Sequence, residues 1–246
     1  MDWPDGVEPV PLEPSASPDR YFFGRKVAAC AQMETMAEGR YGSTVWMAPQ
    51  CLVIRPPCLL RLEPPLGAAL RAVHVKNVGA SAEARPDAFW TAVYGLVGVE
   101  PPATTVYSLV DGQEIRPYYN SHLFSVVPDR GILRRWLTLF ERAVNDEDLQ
   151  RGPCADELHR IFLHQALLSA LVGLELGPGS VRPLPPPYSY PLHFHQNVPA
   201  PGRARRLDEC VCPVYEGAFV FPDTLCGLAP GPELQEWFER RMSERR

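Results

Sequence analysis

One segment constrains the fold more than any other. From Asp156 to Leu176 the chain reads as a helix, and after Arg160 that helix is apolar on nearly every side. A helix of that kind cannot lie on a surface with one face in water, so it must be central. His164 and Gln165 stand side by side within it. Burying such polar groups costs about 1–3 kcal/mol each unless they are hydrogen-bonded. They either bond the surrounding backbone as a core pair or line a polar site at the start of the helix.

The elements around this helix alternate. Residues 26–38 hold good helix formers and neither Gly nor Pro, and Gly39 and Gly42 close that helix. Val45 to Met47 reads as a short strand, interrupted at Pro49 and resumed in extended form over Cys51 to Ile54. Ala72 to Asn77 has the two-residue period of a strand. Pro86 opens a helix carrying Phe89, Trp90, Val93, Tyr94 and Val97. Residues 103–127 read as antiparallel strands, with a hairpin turn at Asp111-Gly112 and a last strand over Ser121 to Val127. An amphipathic helix follows Pro128-Asp129, with Ile132, Leu133, Trp136, Leu137, Phe140 and Val144 on its buried face. A final helix near 232–243 is expected to bury Leu234, Trp237 and Phe238. The reading is a single α/β domain over 21–246, a mixed sheet with helices on both faces, behind a proline-rich lead-in over 1–20.

Composition narrows the function. The 246 residues carry a net charge of -5, which argues against a nucleic-acid grip; the basic run Arg203 to Arg206 reads as a solvated loop. No stretch reaches the roughly 18 apolar residues of a membrane span, and no signal peptide is evident. Seven cysteines, odd in number and without framework spacing, read as reduced thiols in a cytoplasmic protein. No phosphate-binding loop, dinucleotide fingerprint, nucleophile elbow or H-E-x-x-H motif is present.

Two polar segments remain. If Tyr188 to His195 is extended, His193 and His195 share one face and are candidate ligands of a divalent metal; otherwise they mark a polar strand edge. Cys210 and Cys212 extend this only weakly to a zinc site, because C-x-C is not the usual spacing of zinc modules. In Arg116 to His122, Asn120 and His122 would share a face, or serve only as turn chemistry before a strand.

The order of these segments resembles the glycogenin-like glycosyltransferases of GT-A fold. A helix with Lys26 leads to "VWMAPQCLVIRPP" (45–57), then "RPYYNSHLFSVVP" (116–128), "FLHQALLSAL" (162–171) and "LPPPYSYPLHFH" (184–195). The resemblance covers residues 22–200 and implies a nucleotide-sugar donor, an acceptor and a divalent metal, Mn or Mg. It implies Asn120, His164 and Gln165 as catalytic positions lining the sugar or acceptor pocket, Lys76, His122 and Tyr188 as substrate-binding, and His193 and His195 on the diphosphate or its metal. The chain departs from the family where its acidic D-x-D segment would fall, on Ala48-Pro49-Gln50. His164-Gln165 stands for Asp-Gln, His122 for a glycine, and the nucleotide-binding start has no counterpart before residue 20. The expectation is a metal-independent or histidine-only transferase. The rivals are an inactive binding module of the same fold and an enzyme of another class with zinc or iron on His193 and His195.

Overall fold

The computed structural model describes residues 6–13, 21–177, 179–215 and 228–243. The elements run α1 (Gly24–Ala37), β1 (Thr44–Met47), β2 (Ala68–Ala72), α2 (Ala88–Val97), β3 (Val106–Tyr107), β4 (Glu114–Ile115), β5 (Tyr119–Val126), α3 (Ile132–Asn145), α4 (Glu147–Arg151), α5 (Glu157–Glu175), β6 (Val181–Pro183), β7 (Tyr188–Pro191), β8 (Cys212–Val214) and α6 (Pro232–Ser243). Four strands form a sheet in the order β1-β5-β2-β6. β5 is antiparallel to both its neighbours, and β2–β6 is parallel, so the sheet is mixed as expected.

Both long α-helices after the sheet begin on chemistry written in the sequence or supplied by a neighbour. Asp156 caps α5, its side chain accepting from His159 N. α3 starts behind Gly131 with no side-chain cap of its own. Glu34, fully buried on α1, caps it instead, accepting from Leu133 N (3.0 Å) and Arg134 N (2.8 Å). A carboxylate at a helix N-terminus satisfies orphan donors and meets the positive end of the dipole.

The core lies between the sheet and α1, α2, α3 and α5, and takes Ala68 and Leu70 from β2 and Phe124 and Val126 from β5. α5 is central, with Leu163 and Ala166 to Leu168 wholly buried. The opposite side of the sheet presents Ala69 and Leu123 to Leu60, Leu62, Leu184, Tyr188 and Cys212. The long helices therefore share one face. The other is covered by the β7–β8 ribbon and the turn at Cys58–Leu60, where prolines 56 and 57 exclude a helix interior. α6 joins a third cluster with Tyr190, Leu192 and Val198, through Leu234 and Phe238; Trp237 is exposed instead of buried.

Several extended segments are shorter than their periodicity suggests. β2 ends at Ala72, and the alternating residues beyond it turn away, with Asn77 at a left-handed φ of 45°. The hairpin keeps only two residues per strand, although Gly112 takes the positive φ its turn requires. From the lead-in, residues 6–13 lie along α1, where Gln32 accepts from Glu13 N and donates to Pro11 O. Residues 1–5 and 14–20 fall outside the described residues. Among the described residues no helix is long and apolar enough to cross a membrane.

Candidate functional site

The site begins with an irregularity in β5. The β2–β5 ladder pairs Leu70 with Phe124 and then Ala72 with Tyr119, so two steps of β2 are matched by five of β5. A bulge of this kind breaks the ladder and re-aims side chains, and bulges recur beside active sites. Beside it, the alternation of β5 turns Asn120 and His122 to one side and Ser121 to the other.

On the helix side Ser121 meets α1 and α5. Its hydroxyl lies 3.0 Å from His164 Nε2, 3.2 Å from Gln165 Oε1 and 2.6 Å from Lys26 Nζ. Its backbone N–H also donates to Gln165 Oε1, at 3.2 Å, which fixes the orientation of that amide. His164 Nδ1 is 2.9 Å from Ile161 O. A carbonyl only accepts, so Nδ1 carries the proton and Nε2 is the free acceptor. The one hydroxyl proton of Ser121 thus chooses between His164 and Gln165, while Lys26 donates to its oxygen. Burial, reinforced by the Lys26 charge, holds His164 well below the usual imidazole range. Burial also lowers Lys26 to about 8. Among the described residues no carboxylate pairs with Lys26, whose other contact is the ring of Phe23 at 5.4 Å. Phe23 is 47% exposed, holds a left-handed φ of 60°, and lies over His164 with ring centroids 4.4 Å apart. A bulky residue in that region is strained, and such strain collects at functional sites.

The other side is a group of imidazoles. His74, in the loop after β2, has Nε2 2.7 Å from Ser189 O, so Nε2 bears its proton. Asn120 Oδ1 accepts from His122 N (2.8 Å), and its Nδ2 lies 3.2 Å from His74 Nε2 and 3.5 Å from Nδ1; with Nε2 protonated, only Nδ1 can accept from it. His122 stacks on His74 at 6.3 Å, and His193 meets it edge-on at 6.2 Å. Burial first, then the nearby His122, lowers His74 to about 3. His122 also bears on His164 electrostatically, which marks it as the neighbour common to both groups.

The expected site residues therefore divide. His164 and Gln165 gather on Ser121, whereas Asn120, His122 and His193 gather on His74. His195 leaves the set. Residues 192–197 form a 3-10 turn and not the expected extended segment, and His195 Nδ1 meets Tyr190 OH at 2.7 Å while His193 meets His74. Tyr188 is buried, its hydroxyl accepting from Leu59 N at 3.0 Å. Lys76 is half-buried in the loop after β2, its backbone N–H tied to Asp111. Cys210 and Cys212 sit in different apolar clusters, and burial pushes their thiols up to about 12 and about 11.

The residues present do not fit the metal that the resemblance implies. The Ala48-Pro49-Gln50 loop does lie beside the site, with Ala48 N donating to His122 O, but it offers no carboxylate. Among the described residues no group of three or more His, Cys, Asp or Glu is arranged to hold a metal ion.

Sequence reasoning passed over Ser121, His74 and Phe23. Ser121 was legible as the middle of Asn120-Ser121-His122, whose alternation sends it to the helix side. Nothing in the sequence brings His74 to Ser189 or bends Phe23 over His164.

No family model matches the chain, and no curated protein matches it. Among solved structures it is similar to the apo form of mouse xyloside xylosyltransferase 1, with 12% identity and a TM-score of 0.35, over 70% of this chain and 57% of that one. A likeness at that level does not establish a shared fold.

Proposed function

We propose that the chain is a glycosyltransferase-type protein that holds the diphosphate of a nucleotide-sugar without an acidic metal clamp. One observation carries this reading: Lys26 is a half-buried cation beside Ser121 that pairs with no carboxylate among the described residues. An ammonium has three donors, and Ser121 takes one, leaving two for an incoming anion. The side chains that share Ser121 with it, His164 and Gln165, carry no negative charge, so none of them repels a phosphate.

The motif order supports the class of ligand. The chemistry is electrostatic: a diphosphate leaving group gains charge as the sugar departs, and a fixed cation in a water-poor site stabilises that charge. In this reading Lys26 takes the place that a metal would hold. Gln165 and His164 fix Ser121, and Asn120 and His122 approach the sugar or acceptor from the far side of β5.

The test is a thermal-shift screen of UDP-, GDP- and ADP-sugars in EDTA and in Mn²⁺. A donor at 100 times its dissociation constant should add about 2.7 kcal/mol of stability. The expected result is a shift with one nucleotide class in EDTA. A shift that needs Mn²⁺ overturns the metal-free reading, and no shift with any donor overturns the ligand class. Product analysis on the shifting donor then separates transfer from binding alone.

A further inference from the structure

A second buried cation lies opposite the bulge. Arg71 sits between Leu70 and Ala72 of β2, where β5 provides no regular cross-strand partner. It is 7% exposed. Of its three nitrogens only Nη1 donates, to Leu184 O at 3.1 Å, and Nε is buried without a partner. Among the described residues no carboxylate lies within ion-pair distance of it. Buried charges are ordinarily paired, and removing a partner from a buried pair is strongly destabilising. A guanidinium kept in this state is either a structural fault or half of an interaction.

The space beside it favours the second. Arg71 lines a cavity of about 420 Å³ with Tyr119, Val106, Val181, Pro183 and Leu184. None of the lining belongs to the Lys26 or His74 groups. The walls are mainly aliphatic, with Arg71 as their single cation and the Tyr119 hydroxyl as an uncommitted donor. Near the mouth, Glu114 accepts from Thr105 (2.7 Å) and adds negative charge. One cation and apolar walls suit a single negative charge on an apolar body, and the Glu114 carboxylate at the rim opposes a dianion more than a monoanion. A phosphate dianion would be left half-neutralised.

We propose that this cavity binds a small monocarboxylate, its carboxylate taken by the Arg71 guanidinium and its apolar portion laid between β2, β6 and Val106. The arginine guanidinium takes a carboxylate through charge-assisted N–H bonds; Nη2 has no partner among the described residues, and Nε is buried without one. The lowering of the Arg71 pKa to about 10 by burial is consistent with a cation awaiting a counter-ion.

The experiment is a calorimetric titration of the whole chain with acetate, benzoate and 3-phenylpropionate at constant ionic strength. Benzamide and inorganic phosphate are the controls. The expected result is saturable millimolar binding that tightens with the size of the apolar body, is absent for benzamide, and is not displaced by phosphate. Arg71→Gln, checked for native circular dichroism, should bind at least tenfold more weakly, and Arg71→Lys should recover part of the loss. If Arg71→Gln does not fold, benzoate should still broaden the Tyr119 ring resonances of the wild-type protein. The proposal is overturned by the absence of saturable binding across the series, by equal binding of benzamide, by tighter binding of phosphate, or by an unchanged affinity in folded Arg71→Gln. None of these outcomes bears on the Lys26 site, which shares no residue with the cavity.

Discussion

The two sides of β5 hold polar groups of different kinds. On the helix side Ser121 joins a cation, Lys26, to a neutral imidazole, His164, and to an amide, Gln165. On the other side His74 gathers Asn120, His122 and His193; these four side chains carry no permanent charge, and Arg71 acts on His74 through its field. Both sets flank the same strand, and both keep an imidazole neutral by burial. The difference is that one side holds a fixed positive charge ready for an anion, while the other becomes positive only on protonation. An anion should therefore choose the Lys26 side at neutral pH, and acid should strain both.

The acid response is the largest expected effect. The unfolded chain binds protons on His74 and His164 below about pH 6.5, and the folded chain does not until far lower, near 3 for His74. Their contribution is intact above 6.5 and is lost as the pH falls. The slope approaches about 1.4 kcal/mol per pH unit for each histidine below 6.5, so about 3 kcal/mol disappears for the pair between pH 6.5 and 5. Urea unfolding at the two values measures this, and His74→Gln should remove about half of it. A flat profile would mean that the imidazoles are solvated and the burial argument is wrong.

Substitution at the strand sharpens the contrast at smaller magnitude. Ser121→Ala leaves His164 Nε2 without its donor and Lys26 without its acceptor, at a cost of about 1–3 kcal/mol. Asn120→Ala removes the acceptor of His122 N, with a cost of about 1–2 kcal/mol. Because His122 is the common neighbour, the double variant should depart from additivity; strict additivity in a denaturation cycle would show two independent sites.

The last effect is alkaline and runs opposite to the acid one, raising stability instead of lowering it. Lys26 is lowered to about 8, so between about pH 8 and 10.5 the unfolded chain holds a proton that the folded chain has lost. Stability should rise with pH there, by up to about 3 kcal/mol, and Lys26→Met should flatten the rise. Equal profiles would place Lys26 in bulk-like water.

The helices were legible because their signals are local. Asp87 and Asp156 accept from Trp90 N and His159 N as caps, and Gly39 and Gly98 take left-handed φ at helix ends. The centrality of α5 followed from its unbroken apolar surface. What escaped was non-local. The alternation of Ala72 to Asn77 looked like strand continuation, but β2 ends at Ala72; Val73 and His74 accept from Leu109 N and Val110 N instead, and the His74 ring reaches Ser189. The Tyr188 to His195 alternation failed after Pro191, where the chain tightens into a 3-10 turn that gives His193 and His195 different partners. The pairing of His164 with Gln165 as a polar feature needing partners was readable. That Ser121 and Lys26 supply them is a matter of tertiary contact.

The most direct test is the affinity of a nucleotide-sugar measured in EDTA for the wild-type chain and for Lys26→Met. A charge-assisted hydrogen bond is worth about 1.5–3 kcal/mol, so the account predicts binding without metal and a loss of about ten- to a hundredfold in the variant. Binding that is equal in Lys26→Met, or that appears only when Mn²⁺ is added, would contradict it.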